Sequence, residues 1–217
     1  MKIPSRIKAV IFDVDGLLID SEPYWEQADG ELFRSHGKKH TPEINKFIMG
    51  MRPVDIVQYF IEEYGFKTTA DKLLEERLAH LYAFLLPNLR LMEGAGPLIQ
   101  SLDRRGITMA IATSGHSNVR ATEIAARLGL VNAIKVIVSG EDVTRGKPHP
   151  DVFLRAAALV NISPKHCLVF EDAPNGVLAG KAAGMYVIGV NKDEKIYNKL
   201  REAGANEVLY SLSEVQV

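Results

Sequence analysis

Near its start the sequence has a short apolar run, Ala9–Phe12, which is followed by two aspartates. Apolar runs of this length are typical of strands that are buried on both faces in a parallel sheet. In open α/β sheets, ligands bind beyond the carboxyl ends of such strands, so Asp13 and Asp15 are predicted to lie at a binding edge. Gly16 follows them and permits a tight turn. Two carboxylates this close repel each other and require a cation, a shared proton or a positive neighbour.

After Leu91 the chain alternates short apolar runs with helical segments. Further strands are predicted over 108–112, 135–138, 167–170, 186–190 and 207–209. Strands that alternate with helices are typical of βαβ units and of a parallel sheet. The predicted fold class is therefore α/β, with a Rossmann-like parallel sheet as its core.

The stretch from Ser21 to about Leu86 lacks short Val/Ile-rich runs and is predicted to be a helical insert. Its prolines and glycines are placed as helix starts and ends. The four predicted helices begin near Ser21 and then cover Glu43–Met49, Val54–Tyr64 and a segment from 69 or 70 to 86. We therefore predict a small four-helix cap over 18–90, inserted into a core of 1–17 and 91–217, with hinges at 17–21 and 86–92.

Composition and charge narrow the possible partners and locations. The formal net charge of −1 gives no electrostatic reason to bind nucleic acid or an anionic membrane. The single cysteine, Cys167, lies in an apolar run, where core packing is its expected role. No apolar run approaches the roughly 20 residues of a membrane span, and the first residues carry no signal-peptide pattern. We expect a monomeric cytoplasmic protein without nucleic-acid or membrane partners.

Polar side chains also follow other predicted strands. Thr113 and Ser114 come after the strand at 108–112, and Glu171 and Asp172 come after the strand at 167–170. Lys147 lies in a further strand-to-helix loop. Because parallel strands point in the same direction, these side chains and the two aspartates are predicted to meet at one edge of the sheet.

The predicted set of side chains suits a phosphate and Mg²⁺. Mg²⁺ prefers oxygen ligands and is commonly held by carboxylates together with substrate phosphate. An aspartate can act as the nucleophile in phosphoryl transfer, while a second carboxylate moves the proton. Lys147 and Thr113 are candidates to bind phosphate oxygens, and the helix after Ser114-Gly115 offers backbone N–H groups at its N-terminus.

These residues resemble the motifs of the haloacid dehalogenase-like hydrolase family. The four matches are Asp13-Val14-Asp15-Gly16 to the DxDG motif, Thr113 to the second motif, Lys147 in Gly-Lys-Pro to the third, and Glu171-Asp172 to the last. They occur in order over essentially the whole chain. The resemblance implies that Asp13 is the nucleophile and Asp15 the acid/base. It also implies Mg²⁺ held by Asp13, by the backbone carbonyl of Asp15 and by Asp172, with Glu171 close by.

The predicted insert resembles the cap of phosphoglucomutase-like phosphatases in that family. Gly50-Met51-Arg52 resembles the cap segment whose arginine reaches the substrate, and Glu22 lies in the hinge, where such relatives often have a polar substrate contact. Mutase members have a histidine early in the cap, and the matching position here is Trp25. This difference favours hydrolysis and a likeness to sugar-phosphate and pseudouridine-phosphate phosphatases.

The predicted function is therefore a Mg²⁺-dependent phosphatase that hydrolyses a small phosphorylated metabolite, a sugar phosphate by resemblance, through an aspartyl-phosphate. One alternative is a β-phosphoglucomutase-like hexose-phosphate mutase that uses the same intermediate. A second alternative is a catalytically silent phosphate-binding or regulatory module. Trp25 argues against the mutase, and the complete motif set argues against the silent module.

Several of these side chains also have an ordinary structural interpretation. Arg52 fits a solvated cap residue, Trp25 fits the core of the cap, and Glu171 fits a structural acid. His116 directly follows the predicted phosphate-binding loop, Thr113-Ser114-Gly115. It is interpreted as a solvated histidine at a helix start, with substrate contact as the alternative.

Overall fold

The computed structural model of the chain describes residues 1–48 and 51–217. The predicted helix end at Met49 and the first residue of the predicted cap segment, Gly50, lie outside the described residues. The chain separates into two compact units, one formed by Met1–Asp20 with Arg90–Val217 and the other by Ser21–Leu89. The predicted division into 1–17 with 91–217 and 18–90 stays a prediction of domain boundaries.

The first unit is built on a parallel six-stranded sheet. Its strands are β1 (Ala9–Phe12), β2 (Thr108–Ala112), β3 (Ile134–Val138), β4 (Cys167–Glu171), β5 (Tyr186–Val190) and β6 (Glu207–Leu209). They are ordered β3-β2-β1-β4-β5-β6, and every neighbouring pair is parallel. The strand order reverses at β1, and such a reversal is where open α/β sheets bind ligands. The predicted α/β fold class is confirmed.

Helices connect the strands and form the second unit. In chain order, the described α-helices are α1 (Glu22–Ser35), α2 (Pro42–Ile48), α3 (Pro53–Tyr64), α4 (Ala70–Leu85), α5 (Ala95–Arg104), α6 (Asn118–Arg127), α7 (Asp151–Leu159), α8 (Pro174–Ala182) and α9 (Glu194–Glu202). Short 3₁₀ turns cover Leu86–Asn88, Gly140–Asp142, Pro164–His166 and Leu212–Glu214. Among the described helices, none has both the length and the apolarity needed to cross a bilayer.

The central strands are buried on both faces, since successive side chains point in opposite directions and every residue of β1 and β4 is buried. On one face, Ile11 packs in a cluster that includes buried side chains of α7, α8 and α9. Phe12 points to the other face, where its ring stacks on that of Phe170 with the centroids 5.5 Å apart. Cys167 belongs to the first cluster and is fully buried, which confirms its predicted packing role. Burial raises the pKa of the Cys167 thiol to about 11.

Backbone hydrogen bonds join the segment where the chain leaves the first unit to the segment where it returns. The N–H of Met92 donates to the carbonyl oxygen of Leu18 at 2.8 Å. Ile19 and Leu91 form an antiparallel bridge. The segment that bears Asp15 is therefore tied to the returning chain as well as to the end of β1.

The second unit has an aromatic core of its own. The ring of Phe33 lies 4.9 Å from that of Phe60 and 5.0 Å from that of Phe66, both edge-on, a favourable arrangement for aromatic pairs. A buried ion pair joins two helices of this unit. Nε and Nη2 of Arg77 in α4 donate to the carboxylate of Asp29 in α1 at 2.5 and 2.9 Å. Apolar packing and this ion pair together hold α1 against α4.

Candidate active site

Asp13 lies at the carboxyl end of the central strand β1. Its backbone N–H donates to the carbonyl oxygen of Phe170 at 3.1 Å, so the residue continues the pairing of β1 with β4. The residue is only 6% exposed. A carboxylate at this depth needs a charged or hydrogen-bonding partner, because burial of an unpaired charge is highly unfavourable.

Lys147 supplies that partner. Its Nζ donates to Oδ1 of Asp13 and to Oε1 of Glu171, each at 2.6 Å, and also to the carbonyl oxygen of Ala112 at 3.3 Å. These acceptors come from the ends of β1, β4 and β2, so one ammonium group joins three adjacent strands. The structure thus brings together Asp13, Lys147 and Glu171, three of the residues that the sequence predicts for the site.

The close packing of these charges changes their ionisation. The pKa of Asp13 is raised to about 7, mainly because the carboxyl is buried; Lys147 opposes this rise, whereas Glu171 and Asp15 contribute to it. Burial alone lowers the pKa of Lys147, but the carboxylates of Asp13 and Glu171 together raise it above its usual value. The amine therefore keeps its proton, and the site holds a fixed positive charge beside the Asp13 carboxyl.

Two glycines leave room for acidic side chains of the site, because a Cβ at either position would overlap a carboxylate. A Cβ added to Gly176 would lie 1.7 Å from Oε1 of Glu171, and one added to Gly16 would lie 2.1 Å from Oδ2 of Asp172. Gly16 also has a φ of +72°, in the left-handed region that favours glycine. A larger residue at either position would displace a carboxylate of the site.

The acidic side chains form a candidate metal centre. One carboxylate oxygen from each of Asp13, Glu171 and Asp172 lies within 4.8 Å of the other two. When all are ionised, these three carboxylates exceed the single ammonium group of Lys147 by two negative charges. A divalent cation would neutralise that excess, and hard oxygen donors suit Mg²⁺. The carboxylate of Asp15 is outside this group, and the resemblance assigns only its backbone carbonyl to the metal.

The loop after β2 forms the neighbouring part of the site. The N–H of Thr113 donates to the carbonyl oxygen of Val138 at 3.0 Å, and its buried hydroxyl accepts from the N–H of Gly115 at 3.2 Å. The hydroxyl of Ser114 is buried and has no hydrogen-bond partner among the described residues. Ser117 is the N-cap of α6, where its hydroxyl accepts a backbone N–H. An unpartnered hydroxyl in the loop that leads into a helix N-terminus is consistent with the predicted phosphate-binding role of this loop.

His116 lies in the same loop, and its interpretation as a solvated histidine is wrong. The residue is 3% exposed, and its Nε2 lies 3.1 Å from Oδ1 of Asp15. The contact joins positions 101 apart in the chain. No local pattern marks such a contact, so sequence reasoning missed it.

The predicted substrate-binding residues of the insert belong to the second unit. Glu22 is the first residue of α1 and is exposed. Arg52 precedes α3 and donates through Nε and Nη2 to the carboxylate of Asp55 at 2.7 and 2.8 Å. Trp25 is half-buried, with its ring 4.4 Å from the guanidinium carbon of Arg77. Contacts of Glu22 and Arg52 with a substrate stay predictions.

Comparisons with known proteins agree with this arrangement of motifs. A family model described as haloacid dehalogenase-like hydrolase matches residues 7–184. Hexitol phosphatase A of Escherichia coli (strain K12) is 39% identical over 213 residues, which are 98% of this chain and 94% of that protein. The phosphorylated carbohydrates phosphatase of Thermotoga maritima is 32% identical over 219 residues, which are 96% of this chain and 100% of that protein.

Solved structures share the fold. The crystal structure of β-phosphoglucomutase from Clostridium difficile matches this chain with a TM-score of 0.84. The match covers 97% of this chain and 93% of the β-phosphoglucomutase chain. The two sequences are 24% identical, a level that supports the fold alone. The family match includes Asp13, Thr113, Lys147 and Glu171-Asp172, in the order of the four motifs. The chain therefore belongs to the haloacid dehalogenase-like hydrolase family.

Proposed function

We propose that the chain is a Mg²⁺-dependent phosphatase that hydrolyses a small phosphorylated metabolite, with a sugar phosphate as the expected class. The observation that carries the proposal is the contact of Lys147 Nζ with both Asp13 and Glu171, at 2.6 Å each. This contact puts a fixed positive charge beside a candidate nucleophile, as attack on an anionic phosphate requires. The hexitol and carbohydrate phosphatases among the relatives support the same chemistry.

In the first proposed step, a carboxylate oxygen of Asp13 attacks phosphorus. A bond forms between that oxygen and phosphorus, and the bond from phosphorus to the ester oxygen breaks. The protonated carboxyl of Asp15 gives its proton to the leaving ester oxygen, which departs as an alcohol. Lys147 and Thr113 bind the equatorial phosphate oxygens, where charge is spread in the transition state.

In the second proposed step, water attacks the phosphorus of the aspartyl-phosphate. The Asp15 carboxylate accepts a proton from that water, so that Asp15 is ready for the next cycle. The bond between Asp13 and phosphorus breaks, and inorganic phosphate leaves. The buried position of Asp13 keeps this chemistry away from bulk solvent.

Phosphatases of this family generally use a metal ion, and the acidic group at Asp13, Glu171 and Asp172 is compatible with one. In our proposal these residues hold Mg²⁺ together with the backbone carbonyl of Asp15. Bound there, the ion supplies positive charge to the phosphate oxygens and to the Asp13 carboxylate. We further propose that Glu22, Arg52, Ser114 and Gly115 contact the substrate. A monomeric state and a cytoplasmic location stay predictions.

The proposal is tested by measuring phosphate release from a panel of hexitol, hexose, glycerol and nucleotide phosphates, with Mg²⁺ and with EDTA. We expect metal-dependent release from a narrow group of sugar or polyol phosphates. The products of each hexose phosphate are also separated, because the mutase alternative predicts an isomerised sugar phosphate without free phosphate. Absence of both products across the panel would favour the silent phosphate-binding module.

The role of Asp13 is tested with Asp13→Asn, which removes the nucleophilic charge at nearly constant volume. We expect phosphate release to fall by at least about 1000-fold, because the covalent route is lost. Asp103→Asn is the matched control, since Asp103 is exposed on α5. Equal turnover by Asp13→Asn and the wild type would contradict the proposed mechanism.

A further inference from the structure

The contact between His116 and Asp15 has no part in the motifs of the family, yet it reaches the proposed acid/base. Nε2 of His116 lies 3.1 Å from Oδ1 of Asp15. The side chain of His116 is 0% exposed, whereas that of Asp15 is 23% exposed. A fully buried imidazole needs hydrogen-bond partners, and here one of them is the carboxyl group that moves the proton.

Both residues lie on loops whose backbones are fixed. The turn that bears Asp15 is closed by the N–H groups of Leu18 and Ile19, which donate to the carbonyl oxygen of Val14 at 2.9 and 3.1 Å. The N–H of Gly16 donates to the carbonyl oxygen of Ile19 at 2.9 Å. These bonds set the position of the Asp15 backbone.

The His116 loop is held at both of its ends. Thr113 pairs with Val138 at the end of β2, and Ser117 caps α6. The imidazole between these two points therefore has a defined position beside one oxygen of the Asp15 carboxyl group. A hydrogen bond to one carboxyl oxygen restricts the side-chain torsions of Asp15.

We propose that His116 is a positioning residue that holds the carboxyl group of Asp15 in the orientation needed for proton transfer. The inference rests on the proposed phosphatase function and concerns the step in which Asp15 gives its proton to the leaving ester oxygen. His116 itself exchanges no proton with the substrate in this scheme. An acid displaced by about 1 Å can lose on the order of 100-fold in rate, so the orientation of Asp15 matters for catalysis.

The inference predicts a dependence on the leaving group that a purely structural role of His116 lacks. An alkyl phosphate releases a strongly basic alkoxide and needs the proton from Asp15, whereas p-nitrophenyl phosphate releases a phenolate that departs without one. The quantity to compare is kcat/KM, because it covers the steps up to formation of the aspartyl-phosphate and omits its later hydrolysis.

The main variant is His116→Leu, which keeps an apolar volume but removes the ring nitrogens. We expect it to lower kcat/KM for the best alkyl phosphate by roughly 10- to 100-fold, and for p-nitrophenyl phosphate by less than about threefold. His116→Gln places an amide near the position of Nε2, and we expect it to restore most of the activity towards the alkyl ester. His166→Leu is the matched control, since His166 lies before β4, at the strand end opposite the site.

A double-mutant cycle with Asp15→Asn tests whether His116 affects turnover through Asp15. Because His116 acts through Asp15, His116→Leu should cause no further loss of alkyl phosphate turnover in the Asp15→Asn background. Equal losses with both substrates, or losses that add in the double variant, would overturn the inference while leaving the phosphatase proposal intact. A wild type that releases no phosphate from any ester overturns the proposed function, and the inference with it. Thermal unfolding of each variant verifies that it is folded.

Discussion

At Gly176 the lack of a side chain allows Glu171 to occupy its position beside Lys147. Gly176 lies in the first turn of α8, and an added Cβ would meet both oxygens of the Glu171 carboxylate, at 1.7 and 2.5 Å. The carboxylate is the end of a flexible side chain, so it would move rather than the helix. Its bonds to Nζ of Lys147 and to the N–H of Ala173 would then be lost.

We therefore predict that Gly176→Ala lowers phosphatase activity by roughly 10- to 100-fold while the protein remains folded. The measurements are kcat and KM with the best alkyl phosphate, together with thermal unfolding. Gly30→Ala is the matched control, because Gly30 is inside α1 and a Cβ there meets nothing within 4 Å. That control should keep full activity and gain about 1 kcal/mol in stability from helix propensity. Unchanged activity in Gly176→Ala would remove Glu171 from the candidate site.

Individual residues also mark the limit of what sequence reasoning could predict. Asp13, Thr113 and Lys147 follow strands that are visible as apolar runs, and parallel strands bring their ends together. His116 has no such sign, because its burial and its contact with Asp15 depend on how two distant loops pack. The steric constraint at Gly176 also depends on the fold, because it arises only when the start of α8 packs against the Glu171 side chain.

At the scale of elements, the strands were the most predictable part of the chain. β2, β5 and β6 have the predicted bounds, and β3 and β4 differ from prediction by one residue at one end. Buried parallel strands are continuous apolar runs between polar turns, so their limits are visible in the sequence. Helix ends are less sharp, since caps and single residues decide them. The strand order is set by tertiary packing, and the apolar runs did not specify it.

The pairing of α1 with α4 offers a prediction about the stability of an element. Arg77 and Asp29 are almost fully buried, and two hydrogen bonds join them. Arg77→Met leaves the Asp29 carboxylate without its counter-charge, so we predict a loss of about 3–5 kcal/mol in the free energy of unfolding. The double variant Asp29→Leu/Arg77→Met should be less destabilised than Arg77→Met, because no buried charge remains. Both values come from chemical denaturation.

The control for this prediction is Arg34→Ala, in the same helix as Asp29, α1. Arg34 pairs with Glu31 at the surface, where solvent screens the interaction, so we expect the free energy of unfolding to change little. Similar losses in Arg34→Ala and Arg77→Met would contradict a special role for burial. A double variant no more stable than Arg77→Met would show that the lost packing, rather than the unpaired carboxylate, dominates.

Within the full chain, the segment Ser21–Leu89 interrupts the α/β unit, yet the sheet of that unit is continuous. The unit resumes at Arg90, and the bond from Met92 to Leu18 joins the two ends. β1 lies before the interruption, yet it pairs with β2 and β4 from beyond it. The candidate site is thus assembled from both parts of the chain, and its integrity requires the folded sheet.

Because the proposed metal ligands come from the ends of β1 and β4, Mg²⁺ should bind the folded chain and stabilise it against unfolding. At a concentration 100 times the dissociation constant, the expected gain is about 2.7 kcal/mol, since the unfolded chain does not assemble the ligands. Thermal unfolding with Mg²⁺ and with EDTA measures this gain. Asp172→Asn removes one ligand charge and should abolish most of the shift, whereas Asp103→Asn should retain it. A shift that persists in Asp172→Asn would place the ion elsewhere, and the absence of a shift in the wild type would contradict the proposed metal centre.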